Sequence, residues 1–290
     1  MSDPPRAQVG IIGGSGLYDI EGFADLREVR LDTPFGPPSD AYVVGTFRGR
    51  SVAFLPRHGR GHRISPTELN NRANVFGFKL LGVERLLSVS AVGSMREEVR
   101  PLDVVVPDQL FDRTRLRPNT FFGQGLVAHV GFADPFCADL SRDLVAAAER
   151  VGARVHRGGT YVCIEGPQFS TRAESRIYRG WGVDVIGMTA LPEAKLAREA
   201  ELCYATLALV TDYDVWHESE SPVTVEMVVA NLLQNVGTAK RILAEAVGGL
   251  AAERTCPCRD ALRDAIITRR DAIPEAVRRD LAPLVGRYVS

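Results

Sequence analysis

Cysteine is scarce and odd in number: Cys137, Cys163, Cys203, Cys256 and Cys258 are the five in a chain of 290 residues. Disulfide-built secreted scaffolds use the residue far more densely, so reduced, buried thiols in a cytoplasm are the expectation. The close pair in Cys256-Pro257-Cys258 offers two ligands, too few for a closed zinc site within one chain. It reads as a strained disulfide or, more plainly, as an incidental pair near a turn. A charge bias is absent too. Thirty-five Lys and Arg face thirty-six Asp and Glu, a formal net charge of −1. Nothing in that balance asks for nucleic acid or an anionic membrane as partner. No apolar run approaches the roughly 20 residues that span a bilayer. The N-terminal residues carry no apolar core, so no signal peptide is expected. Internal repeats and low-complexity segments are missing as well.

What is present is ordinary for a soluble globular chain: 45% hydrophobic and 24% charged residues. The length suits one large α/β domain or two small ones. Short apolar runs at 8–12, 41–46, 51–55, 85–91, 103–107, 160–164, 183–189 and 203–211 predict strands. Helices are predicted over 67–81, 140–151, 171–178 and from Pro192 onward. Val225, Val228, Val229, Leu232 and Val236 mark one face of a further long helix. Residues 112–135, rich in Gly, Pro and Asn without a period, are predicted to be a functional loop or an interface arm. Strands alternating with helices argue a mixed, largely parallel sheet flanked by helices. Gly248-Gly249 is the best break, dividing a main domain (1–248) from a C-terminal helical extension (249–290) on the same domain.

Several strands end in polar or glycine-rich loops, where open α/β sheets bind ligands. The run at 203–210 delivers Asp212 and Asp214, two carboxylates one residue apart. Gly13-Gly14-Ser15-Gly16 follows the first strand and suits an anion cradle. It lacks the third glycine of a dinucleotide fingerprint, since Asp19 stands there, and it lacks the lysine of a Walker loop. Arg57 and His58 open a polar loop; arginine's fork matches phosphate oxygens. Ser90-Ala91 and Gly187-Met188-Thr189 put hydroxyls and a soft thioether at two further strand ends. Phe169, in a loop fixed by Gly166 and Pro167, can stack on a flat ligand or plug the core. Each of these has a plain structural explanation alone; together they describe one polar crevice.

The order of these motifs resembles the trimeric purine nucleoside phosphorylase family. The resemblance is carried by Gly13-Gly14-Ser15-Gly16, Asp32-Thr33-Pro34-Phe35-Gly36, Arg57-His58-Gly59, Ile164-Glu165-Gly166-Pro167, Gly187-Met188-Thr189-Ala190-Leu191-Pro192-Glu193 and Thr211-Asp212-Tyr213-Asp214-Val215-Trp216. Within that family the chain is similar to the branch acting on S-methyl-5′-thioadenosine. The resemblance implies a single α/β domain with a central mixed, partly barrel-like sheet. It implies a homotrimer, which can pair into a dimer of trimers, and cleavage of the nucleoside by inorganic phosphate. Phosphate is then a co-substrate, with no cofactor and no metal. By position, Ser15, Arg57, His58, Ser90, Ala91 and Thr189 match phosphate-binding residues. Phe169 and Met188 match those packing on base and ribose, and Asp212 and Asp214 those facing the purine edge. Ser170 and Val225 match positions linked to substrate choice, and His129 a residue donated to a neighbouring subunit's ribose site. Two departures stand out. Ser15 replaces a more usual Thr, and Gly187 stands where some relatives carry Asn, which leaves substrate choice open.

The chemistry fits the residues. Glycosidic cleavage builds positive charge on the ribose and negative charge on the purine, so an anion on one side and an acid on the other assist it. Asp212 is assigned as the acid and Asp214 as acceptor from the 6-amino group. The alternatives are a 6-oxopurine or broad-specificity purine nucleoside phosphorylase, one acting on methylthioinosine included. Outside that class stand a nicotinamide-dependent oxidoreductase and a catalytically silent nucleoside-binding protein.

Overall fold

The computed structural model describes residues 5–14, 17, 21–217 and 225–289. Among them, eleven strands form one mixed sheet. Its centre is made by strands with no polar face to spare: β1 (Val9–Gly13), β5 (Arg85–Ser94) and β11 (Cys203–Asp212), the first and last buried at every residue. Such runs read as unbroken apolar segments because both faces are covered. On one side of β1 lie β4 (Arg50–Pro56), β3 (Tyr42–Phe47) and β2 (Phe23–Val29). β3 and β4 are joined by Arg48-Gly49, both at positive φ, the two-residue turn that matches the twist of a hairpin.

Short strands finish the sheet. β6 (Val104–Val106) and β8 (Val155–Arg157) continue beyond β11, while β10 (Val185–Gly187), β9 (Thr160–Ile164) and β7 (Gln109–Arg113) continue beyond the far end of β5. β2, β7 and β8 are not among the strands expected from the apolar runs. β2 exposes most of its residues and therefore carries no apolar run.

The helices are α1 (Asn71–Leu80), α2 (Ala138–Arg150), α3 (Arg172–Gly180), α4 (Ala190–Glu199) and α5 (Val225–Gly249), then α6 (Glu275–Asp280) and α7 (Ala282–Val289). α1 begins four residues later than its expected start at Thr67. Asn70 caps it by accepting from the Ala73 N–H at 3.2 Å, leaving 67–69 outside. α3 has a full capping box between Thr171 and Glu174. α5 ends at the expected Gly248-Gly249 break.

Two large clusters fill the faces of the sheet. The segment after α5 belongs to both. Ile273, Val277, Leu284 and Val285 sit in the first, and Cys256 and Cys258 in the second. Buried Glu201 holds Arg287 at 2.9 Å. No helix among the described residues is long and apolar enough to cross a membrane.

Candidate active site

The registers of β5 explain where the cavity is. β1 and β4 run parallel to one another, β1 and β11 run parallel to β5, and their carboxyl ends therefore gather at one edge. β5 pairs with β1 only over 85–88 and with antiparallel β10 only at Gly93 and Ser94. Residues 89–92 lie between these two partners, where the sheet splays. A cavity of about 540 Å³ occupies the gap, lined by 89–93, the ends of β10 and β11, and one face of α5. That volume suits a nucleoside-sized ligand.

One end of the cavity is polar. Gly14, Arg57, His58, Ser90, Ala91 and Thr189 all line it; Gly14, Arg57-His58 and Thr189 follow the ends of β1, β4 and β10, whereas Ser90 and Ala91, expected at a strand end, lie within β5, which runs on to Ser94. Ser15 lies outside the described residues. The Ser90 hydroxyl is 2.9 Å from the Thr189 hydroxyl and 3.1 Å from that of Tyr161. Burial pushes Tyr161 up to about 12, so it stays a phenol.

Arg57 behaves differently from the open fork expected of it. Its Nε and Nη2 donate to the two oxygens of Glu193 at 2.5 and 3.2 Å, and Nη1 donates to the Val89 carbonyl at 2.8 Å. Ser88 Oγ and the Ile12 carbonyl take up Nη2 as well, at 2.7 and 3.3 Å. These partners leave one Nη1 hydrogen for the cavity. The positive charge remains, because Glu193 holds Arg57 further up than usual. Glu193 is fully buried and also accepts from Ser88 and Tyr204. The sequence places Glu193 only in a helix first turn, and nothing local signals its pairing with Arg57, 136 residues away.

His58 is neutral. Burial, then the adjacent Arg57 charge, lowers its pKa to about 4. Nδ1 donates to the Ile64 carbonyl at 2.8 Å, and the ring stacks on His62. The remaining nitrogen, Nε2, is then an acceptor.

The two aspartates stand at the other end, 7% and 8% exposed. Asp212 ends β11, and Asp214 opens a 3₁₀ turn, Asp214–Trp216, at positive φ. Asp212 Oδ2 accepts from the Thr211 hydroxyl at 2.7 Å and Oδ1 from the Asp214 N–H at 2.8 Å. Burial raises the pKa of both. Gly93 makes the room: a Cβ there would sit 2.9 Å from Asp212 Oδ1. The Ser170 hydroxyl donates to both Asp214 oxygens at 3.1 and 2.8 Å, joining a residue matched to substrate choice to the carboxylate assigned to the 6-amino group.

Between the ends lie Phe169, half-exposed, and Met188, with Ile164 and Ile186. Gly187, where an Asn was a possible alternative, has no space for a side chain, since its Cβ would strike the Tyr161 hydroxyl. On α5, Val229, Leu232, Leu233 and Val236 line the cavity. Val225 opens the same helix, but its side chain lies outside the described residues. His129 is not among the lining residues; it is exposed, and its N–H donates to the Ala265 carbonyl at 2.8 Å.

Arg117 was invisible to sequence reasoning, being one arginine in a long loop. It is buried and donates to the Met188 and Leu191 carbonyls at 2.6 and 2.7 Å and to Glu165 Oε1 at 3.0 Å. It thereby fixes the two loops that carry Met188 and Phe169.

A crevice with an anion end and a carboxyl end defines a class, and comparison with known proteins names it. Residues 8–248 match the model of the phosphorylase superfamily. A protein of Koribacter versatilis named S-methyl-5′-thioadenosine phosphorylase is 59% identical, over 98% of this chain and 97% of its own. One of the same name from Geobacter sulfurreducens is 60% identical, over 97% and 99%. Among solved structures, a methylthioadenosine phosphorylase from an antarctic soil metagenomic library superposes with a TM-score of 0.93 at 47% identity, covering 97% of this chain and 99% of that one. A Schistosoma mansoni adenosine/methylthioadenosine phosphorylase variant, in complex with methylthioadenosine, gives 0.83 at 38% identity, over 89% and 96%. The chain belongs to the phosphorylase superfamily and, within it, to the S-methyl-5′-thioadenosine phosphorylase family. Neither an oxidoreductase nor a silent binding protein accounts for that membership together with both aspartates.

Proposed function

We infer that the chain is an enzyme that cleaves the N-glycosidic bond of S-methyl-5′-thioadenosine with inorganic phosphate, giving adenine and 5-methylthioribose 1-phosphate. The observation that carries the reading is a single cavity with the Arg57–His58 hydroxyl cluster at one end and the Asp212–Asp214 pair at the other.

In this reading phosphate lies against Ser90, Thr189 and the one available Nη1 hydrogen of Arg57. His58, donating its only N–H to Ile64, accepts from a protonated phosphate oxygen. The bond between the anomeric carbon and N9 breaks, and the anion stabilises the cationic ribose before its oxygen closes on that carbon. The electron pair leaves with the purine, and Asp212, whose pKa burial raises, gives its proton to N7. Asp214, held as an acceptor by Ser170, receives the 6-amino group. Val229 and Leu233 offer an apolar wall to the 5′-methylthio group. The reaction needs no organic cofactor and no catalytic metal, phosphate being a co-substrate.

The same proposal has the enzyme act in the cytoplasm as a homotrimer, alone or paired into a hexamer, with His129 completing a neighbour's ribose site. Exposed Leu116 and Val127 in the same loop support an interface there. Light scattering gives the oligomer number.

The deciding experiment compares methylthioadenosine, adenosine, inosine and methylthioinosine, each with and without phosphate. Phosphate-dependent release of adenine from methylthioadenosine, faster than any 6-oxopurine reaction, is expected. Equal rates without phosphate would make the protein a nucleosidase, and faster inosine cleavage would make it a 6-oxopurine phosphorylase.

A further inference from the structure

The fold assembles four of the five cysteines at one point, on the face of the sheet covered by α2 and α5. Cys137 is the N-cap residue of α2, Cys203 the first residue of β11, and Cys256 and Cys258 flank Pro257 at a 3₁₀ turn, Pro257–Asp260, after α5. Their four sulfur atoms all lie within 4.8 Å of one another, and all four residues are buried. The pair in Cys256-Pro257-Cys258, too small for a metal by itself, is completed by two thiols from distant parts of the chain.

We propose that Cys137, Cys203, Cys256 and Cys258 form a tetrathiolate site for a zinc ion that ties the C-terminal extension to the sheet. A tetrahedral zinc with four sulfurs at about 2.3 Å places them about 3.8 Å apart, a spacing this cluster reaches with small side-chain rotations. Cys203 and Cys256, at 3.2 Å, are already inside it.

The surroundings hold the ligands in place. The loop before Cys256 is fastened by Arg254 to the Glu201 carbonyl at 2.7 Å and by Arg85 to the Ala251 carbonyl at 3.1 Å. Cys137 makes no side-chain cap to its helix, so its sulfur is turned to the cluster. On binding, four Zn–S bonds form, four S–H bonds break and four protons leave to solvent, with no change of oxidation state. Cys163 takes no part; it is buried elsewhere, against the Leu191 carbonyl.

The test uses the full chain, purified anaerobically from zinc-supplied cells. Metal analysis should find about one zinc per chain, released when a mercurial thiol reagent is added. Intact mass under denaturing, non-reducing conditions should equal that of five free thiols. Cobalt(II) added to the metal-free protein should give the visible bands of tetrahedral cobalt with sulfur charge-transfer absorption. Cys258→Ser should lose the zinc and be cut by protease after α5, while Cys163→Ser keeps it. Should Cys258→Ser fail to fold, the cobalt titration decides. Zinc below about a fifth per chain with no cobalt–sulfur absorption, or a mass short by two or four hydrogens (one or two disulfides), overturns the proposal.

Discussion

The backbone N–H of Asp214 donates to Oδ1 of Asp212 at 2.8 Å, so the residue expected to read the purine edge also orients the residue expected to protonate it. Thr211 donates to the other oxygen at 2.7 Å, and burial favours the protonated acid. Asp212→Asn preserves shape and removes the proton. Turnover on methylthioadenosine should fall by about 10²- to 10⁴-fold, with phosphate affinity measured calorimetrically within about twofold of the original. Turnover that is unchanged sinks the assignment.

Asp214 has the specificity role. With Gly187 closed to side chains by Tyr161, no amide at that position can donate to a 6-oxo group. Asp214→Asn supplies such a donor. The ratio of kcat/KM for methylthioinosine to that for methylthioadenosine should rise on the order of 10²-fold. A ratio that stays put means the 6-substituent is read elsewhere.

Glu193 is the buried partner of the Arg57 guanidinium. Glu193→Gln leaves that charge uncompensated, and breaking one side of such a pair costs about 3 to 5 kcal/mol. Denaturant unfolding should show the loss. Arg57, freed from its fork, should swing, raising the KM for phosphate more than that for the nucleoside. Equal stability of variant and parent would contradict the assigned pairing.

Two groups give opposite pH slopes. His58 takes its proton at about 4 when folded and 6.5 when unfolded, so its contribution is intact above 6.5 and is lost as pH falls from there toward 4. Glu199, raised to about 7 from 4.5 by burial, keeps its proton in the fold after the unfolded chain has lost it, so stability falls as pH rises between those values. Melting temperatures against pH should show His58→Gln lacking the first slope and Glu199→Gln lacking the second. Parallel curves for variant and parent would exclude the corresponding group.

The strand ends were legible because apolar runs and glycine turns are local. Residues 8–12 and 203–211 read as buried strands, and Gly14 after the first and Asp212 and Asp214 at the end of the second do line one cavity. β2 was not legible, since it is an exposed edge strand with no apolar run to mark it. Arg117 and Glu193 were equally hidden, because a buried ion pair has no sequence period.

By itself, then, the sequence determined which side chains stand at the carboxyl ends of the strands, through hydrophobic pattern and turn chemistry. Tertiary structure decided what those side chains can do. The register of β5 against β1, β10 and β11 opens the cavity, buries Asp212 enough to favour its proton, and gives Arg57 to Glu193. It also turned an unremarkable Cys-Pro-Cys into half of a four-sulfur cluster. Protonation, charge pairing and metal ligation depend on distances of a few ångströms between residues far apart in the chain, and only the packed sheet sets those distances.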